Sequence, residues 1–282
     1  MPDPIASPAT ASALAPQGLC VCADDYAASE SVSMAIVRLL EQRRIHATSV
    51  MVCSPRWVND AQALRPFAQS ASIGLHLDWT SAFAQAQGHG LSLGALMARS
   101  ALRGLSHAPV QREIERQLDA FESVWQAPPS HVDGHQHIQQ FPVIRDALLN
   151  TLRHRYRGRA PWLRWSQGVA SEATSWSERF KASVIQAWGA AAFARAAQAQ
   201  ALPLRGPLLG VYNFDPAPGV FARYMEQWLQ AAKPWPGAVL MVHPGLAADA
   251  DDGIGAARVR EWDYLSGADW PVLAQRYGVA CG

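Results

Sequence analysis

Two spacings of apolar residues alternate along this chain. Short apolar runs cover Gly18–Ala23, Thr48–Cys53, Ile73–Leu77, His131–Asp133, Trp162–Trp165 and Ala238–Val242, and each has the length and content of a buried strand. Between them the apolar positions fall at helical spacing. Val32, Ala35, Ile36, Leu39 and Leu40 mark a helix over Ser29–Arg44 with Ser29 as its N-cap. Ile114, Leu118, Phe121 and Trp125 share one face over Gln111–Trp125. Helices are also predicted for Trp57–Gln69 and Pro142–Arg155. Such β-α alternation predicts an α/β fold with a mainly parallel sheet, closed or partly closed into a barrel. An Ala-rich stretch, Ser171–Ala201, interrupts the alternation. It reads as a helical insertion or lid with Phe180, Val184 and Trp188 as its buried stripe.

Composition narrows the picture. The chain of 282 residues fits one large domain, and 49% hydrophobic content supplies a core. A net charge of +1 gives no footprint for nucleic acid or for an anionic membrane surface. Residues 1–17 are rich in Ala, Pro and Ser without a basic start or an apolar centre, so they read as a disordered tail ahead of a domain over 18–282. No run is long and apolar enough to span a membrane. Cys20, Cys22, Cys53 and Cys281 form no CxxC pair, which fits a reduced, cytoplasmic protein. Nothing fixes the oligomeric state, and a homodimer is left open.

The chemistry gathers where strands end. The first run breaks at Asp24-Asp25, two adjacent carboxylates that repel unless a cation joins them. One carboxylate on a metal would leave the other as a candidate base; the alternative is a helix cap beside a solvated acid. His131-Val132-Asp133-Gly134-His135-Gln136-His137 holds imidazoles two apart, on one face if the strand continues, with Asp133 placed to orient one of them. His76 ends the third run, and His243 ends the last one before Pro244-Gly245. In a parallel sheet these ends meet at one carboxyl-terminal rim. The 11 tryptophans suit core stripes, with some available to stack on a sugar ring or an apolar aglycone.

These segments resemble the YdjC-like carbohydrate deacetylase family. Cys22-Ala23-Asp24-Asp25-Tyr26-Ala27 matches an opening motif that ends in Phe-Gly in the family. Gly74-Leu75-His76, His131 to His137 with Phe141-Pro142, Val242-His243-Pro244, and Arg258, Glu261 and Leu265 match further motifs in the same order. The resemblance implies a distorted (β/α) barrel of the glycoside hydrolase/deacetylase type and hydrolysis of the N-acetyl group of an acetamido sugar. By position it implies that Asp25, His76 and His135 bind one divalent metal ion, zinc or magnesium. Asp24 would be the general base, and His243 the general acid or oxyanion stabiliser. Asp133, His137, Arg164 and Arg258 would orient these groups or hold substrate. Three protein ligands, an open metal position and a base are what amide hydrolysis requires. Another metallohydrolase, such as a phosphoesterase, and a catalytically silent sugar-binding protein on the same fold are the alternatives.

Overall fold

The computed structural model describes residues 18–169, 189–214, 217 and 219–280. The tail over 1–17 and the stripe of Phe180, Val184 and Trp188 lie outside them. Eight parallel strands form one sheet: β1 (Cys20–Tyr26), β2 (Ala47–Val50), β3 (Ser72–Leu77), β4 (His131–Gly134), β5 (Trp162–Arg164), β6 (Leu204–Arg205), β7 (Leu208–Leu209) and β8 (Val239–Val242). Their order is β6-β5-β4-β3-β2-β1-β8-β7. Gly168, just past β5, bridges Leu208 of β7, so the two ends of the curled sheet meet. The expected distorted barrel is the observed fold.

Helices pack around it: α1 (Glu30–Glu41), α2 (Trp57–Leu64), α3 (Ala82–Ala86), α4 (Leu93–Ala101), α5 (His107–Trp125), α6 (Ile144–Arg155), α7 (Ala191–Ala199), α8 (Val220–Ala232), α9 (Gly255–Ser266) and α10 (Asp269–Arg276). Ser29 caps α1 as its sequence predicts, accepting the Val32 N–H at 3.3 Å. Helix α2 ends earlier than its apolar spacing suggests, because Pro66 lies in the following 3-10 turn (Arg65–Phe67) and offers no N–H. The described end of the Ala-rich segment is helical, as α7. Strands β6 and β7 are two residues each, too short for a run of apolar residues to mark them.

Strand alternation divides the core in two. Outward residues such as Val21, Ala23, Ile73, Leu75, Val132, Leu163 and Leu240 pack against the helices in the larger cluster. Inward residues Cys20, Cys22, Ala47, Trp162, Leu208, Val239 and Met241 fill the lower barrel. Above them the inward positions turn polar: Asp24, Ser49, His76, Asp133 and Arg164 are all buried. The barrel is therefore apolar below and charged at its carboxyl-terminal mouth, the end where parallel barrels carry their chemistry.

Candidate active site

Simple alternation would send Asp24 into the barrel and Asp25 outward. The structure breaks that rule locally. The pairing of β1 with β2 shifts register between Ala23 and Tyr26, and Asp25 takes left-handed backbone with φ 67°. Tyr26 is again in the outer cluster and donates its hydroxyl to the Asp60 carbonyl at 2.7 Å. The bulge thus leaves both carboxylates at the mouth. Other non-glycine residues in left-handed backbone also lie on this rim: Ala27 (72°), Gln136 (55°), His137 (61°) and Phe214 (57°). Such strain, about 1–3 kcal/mol each, gathers where geometry is fixed for function.

Asp25 is the centre of one group. Its Oδ1 lies 3.4 Å from His76 Nε2 and 3.3 Å from His135 Nδ1. That oxygen is buried and has no hydrogen-bond partner. One ligand atom from each of Asp25, His76 and His135 lies within 4.8 Å of the others. The second oxygen, Oδ2, accepts from Arg258 Nη2 at 2.7 Å. His76 Nδ1 is 2.6 Å from Asp133 Oδ1, an arrangement that puts the ring's proton on Nδ1 and leaves Nε2 as an electron-pair donor. Donor atoms of two imidazoles and a carboxylate then face one another. The set fits a zinc-like or similar divalent ion.

Asp24 belongs to a second, tightly bonded group. Both its oxygens accept from the buried Arg164 guanidinium, at 2.5 and 2.6 Å, and Ser49 Oγ lies 3.3 Å away. Arg164 also reaches Asp133 Oδ2 at 2.5 Å and Cys22 Sγ at 3.1 Å. Arg164 is wholly buried and orients these carboxylates.

The charge balance follows. Burial pushes the Asp25 carboxyl up, but Arg258 and the two imidazoles outweigh it and hold the group well below the usual carboxylate range. Burial lowers the His76 pKa, yet Asp133 and Asp25 together raise it well above normal. Burial and the Arg164 charge push His137 down to about 3.

His137 departs from its sequence reading. Strand β4 stops at Gly134, and a 3-10 turn over His135–Gln140 follows, with Gln136 and His137 left-handed. His135 and His137 therefore share no strand face. His135 joins Asp25, while His137 Nδ1 sits 3.3 Å from Ser166 Oγ. Both still line the same cavity.

That cavity, about 580 Å³, opens over Asp24, Asp25, His76, His135, His243 and Arg258. Its wall is apolar, formed by Leu93, Val211, Tyr212, Phe214, Met241 and Ile254. No tryptophan lines it among the described residues; the aromatic surfaces are Tyr212 and Phe214. His243 packs edge-on against Phe214, with ring centroids 5.5 Å apart, and its backbone N–H donates to Glu261 Oε2 at 2.5 Å. Glu261 also accepts from the Tyr212 hydroxyl at 2.6 Å. Tyr212, Phe214 and Asp252 escape sequence reasoning, because they follow a two-residue strand or sit in a loop without a motif. A further grouping, Cys53, His89 and Glu113, lies elsewhere. There Arg116 and Gln117 each donate to Glu113 Oε1 at 2.7 Å, and the Arg116 guanidinium already supplies its positive charge.

Fold and rim together define a β/α-barrel protein with a carboxylate–imidazole centre at the strand ends. The chain matches the family described as YdjC-like protein over residues 18–275 and belongs to it. Among curated relatives, the chitooligosaccharide deacetylase of Serratia marcescens is 27% identical over 140 residues, 45% of this chain and 52% of that protein. The chitooligosaccharide deacetylase of Enterobacter sp. (strain 638) is 28% identical over 131 residues, with the same shares. The chain spans about half the length of these relatives. A crystal structure from Enterococcus faecalis V583, provisionally described as a cellobiose-phosphate cleavage protein, superposes with a TM-score of 0.70 at 17% identity. It covers 94% of this chain and 97% of its own, a likeness of fold.

Proposed function

We propose that this protein is a metal-dependent N-deacetylase of an acetamido sugar, free, nucleotide-linked or lipid-linked. The observation that carries the reading is the buried, unpartnered Asp25 Oδ1 facing His76 Nε2 and His135 Nδ1 at the floor of the cavity. Asp25, His76 and His135 would hold one divalent cation, zinc or magnesium. Held there, such an ion would supply Lewis-acid polarisation of the acetyl carbonyl and acidify a water. The residues do the rest. Asp24, held by Arg164, takes a proton from the attacking water as its oxygen bonds to the carbonyl carbon. His243 gives a proton to the amine as the C–N bond breaks, releasing acetate. Glu261 fixes the His243 backbone by accepting its N–H. Asp133 keeps His76 in the tautomer that offers Nε2. The apolar cavity wall suits the non-polar face of a pyranose ring or an apolar aglycone.

The test is acetate release by the metal-supplemented protein, offered N-acetylglucosamine oligomers, nucleotide-linked acetamido sugars and lipid-linked glycans. Release from any of these supports the reading and ranks the substrate. Silence on all of them, with sugar still bound, favours the binding role; release of phosphate from a sugar phosphate favours a phosphoesterase.

A further inference from the structure

Helix α9 places Arg258 and Glu261 one turn apart on its buried face. Glu261 serves the His243 side of the cavity and Arg258 the Asp25 side. Arg258 is 6% exposed and bonds at two ends. Its Nη2 holds Asp25 Oδ2 at 2.7 Å, and its Nε holds Asp252 Oδ2 at 2.5 Å. Asp252 in turn accepts the Ile254 N–H at 3.0 Å, and the Arg258 carbonyl accepts the Gly245 N–H at 3.1 Å. The guanidinium is therefore clamped by the loop between β8 and α9 and cannot easily swing away from Asp25.

A carboxylate with two free oxygens can grip a cation through both. Here one oxygen, Oδ2, is taken by a fixed cation of the chain, while Oδ1 is unpartnered and faces the imidazoles. We infer that Arg258 is a positioning residue that makes Asp25 a one-oxygen ligand, so that coordination positions stay open for the water and the acetyl oxygen. The inference rests on the metal reading given above. It has a consequence opposite to that of an ordinary orienting hydrogen bond. Losing an orienting partner weakens metal binding by roughly 10–100-fold. Losing Arg258 frees Oδ2 and removes a positive charge beside the metal, so binding should tighten, on the order of ten-fold.

The experiment is metal affinity by chelator competition in the full-length protein, wild type against Arg258→Gln, together with the visible spectrum of each loaded with cobalt(II). The expected result is tighter binding in R258Q and a weaker visible band, as a second carboxylate oxygen raises the coordination number, with turnover falling about 10–100-fold. Weaker binding in R258Q, or a spectrum identical to wild type, overturns the inference. Arg258→Lys is the second variant, used if R258Q melts early. Its ammonium still caps Oδ2, so affinity and spectrum should match wild type, and ten-fold tighter binding there also overturns it. A wild-type protein that binds no metal defeats the functional reading itself, and wild type alone reads that result.

Discussion

Gly74 is the first residue of the Gly-Leu-His segment that ends with His76, and its reason for being glycine is visible in the barrel. A Cβ built there would lie 2.4 Å from three atoms of the His131 ring. That ring lies against the Trp162 indole, centroids 4.3 Å apart and 14° from parallel, and bonds Ser72 Oγ at 3.1 Å. It has nowhere to retreat. Ordinary carbon contacts need about 3.5–4.0 Å, so Gly74→Ala must displace the ring by more than about 1 Å. Overpacking of this kind costs about 1–3 kcal/mol, and loss of the Ser72 bond adds about 1 kcal/mol. Relief of glycine's chain entropy returns about 0.5–1 kcal/mol. The net is about 2 kcal/mol, or about 4–8 °C in melting temperature for a chain of this size. The assay is urea unfolding of wild type, G74A, H131A and the double variant. Because the clash needs both groups, G74A should cost little or nothing in the H131A background, a coupling of at least about 1.5 kcal/mol. An equal cost in both backgrounds refutes the packing argument.

Three further outcomes follow from the same geometry. Ala27 holds φ 72° and is buried in the outer cluster. Ala27→Gly therefore relieves about 1–2 kcal/mol of left-handed strain against about 0.8 kcal/mol for the buried methyl and about 0.5–1 kcal/mol of glycine chain entropy. Stability should stay within about 1 kcal/mol of wild type by urea unfolding; a larger loss contradicts this. His131 is held neutral by burial, with its pKa down at about 4. The unfolded chain takes up that proton near pH 6.5, so the contribution is complete above pH 6.5 and is lost as pH falls toward about 4, by about 3 kcal/mol. A His131→Gln variant should show a shallower loss across that window, and an equal slope counts against the assignment. Arg164→Met strands the buried Asp24 and Asp133 carboxylates and should cost about 3–5 kcal/mol, read by thermal melting; a change below 1 kcal/mol means the cluster is solvated.

Much of the barrel was legible because its strands and helices follow their own periods. Alternation also places Asp24, His76 and Asp133 correctly, since each has an apolar neighbour facing the helices. The same rule fails at Asp25, where a bulge turns the residue back into the mouth, and at His137, where β4 ends one residue before His135. Neither event has an apolar signature. Arg164 and Arg258 were expected to orient the site or hold substrate, but which carboxylates they hold was not legible: Asp24 and Asp25 lie 140 and 233 residues away from them. Those pairings become visible only once the strand ends are brought together. The apolar cavity wall was hidden for a related reason, since Tyr212 and Phe214 follow a strand of two residues.

The measurement closest to the central claim is metal content per chain, paired with acetate release on the same preparations of wild type, His135→Ala and Asp24→Asn. The account predicts one metal per wild-type chain, loss of metal and activity in folded H135A, and loss of activity with metal retained in D24N. Metal bound equally in H135A, or acetate released at the wild-type rate by D24N, would contradict it.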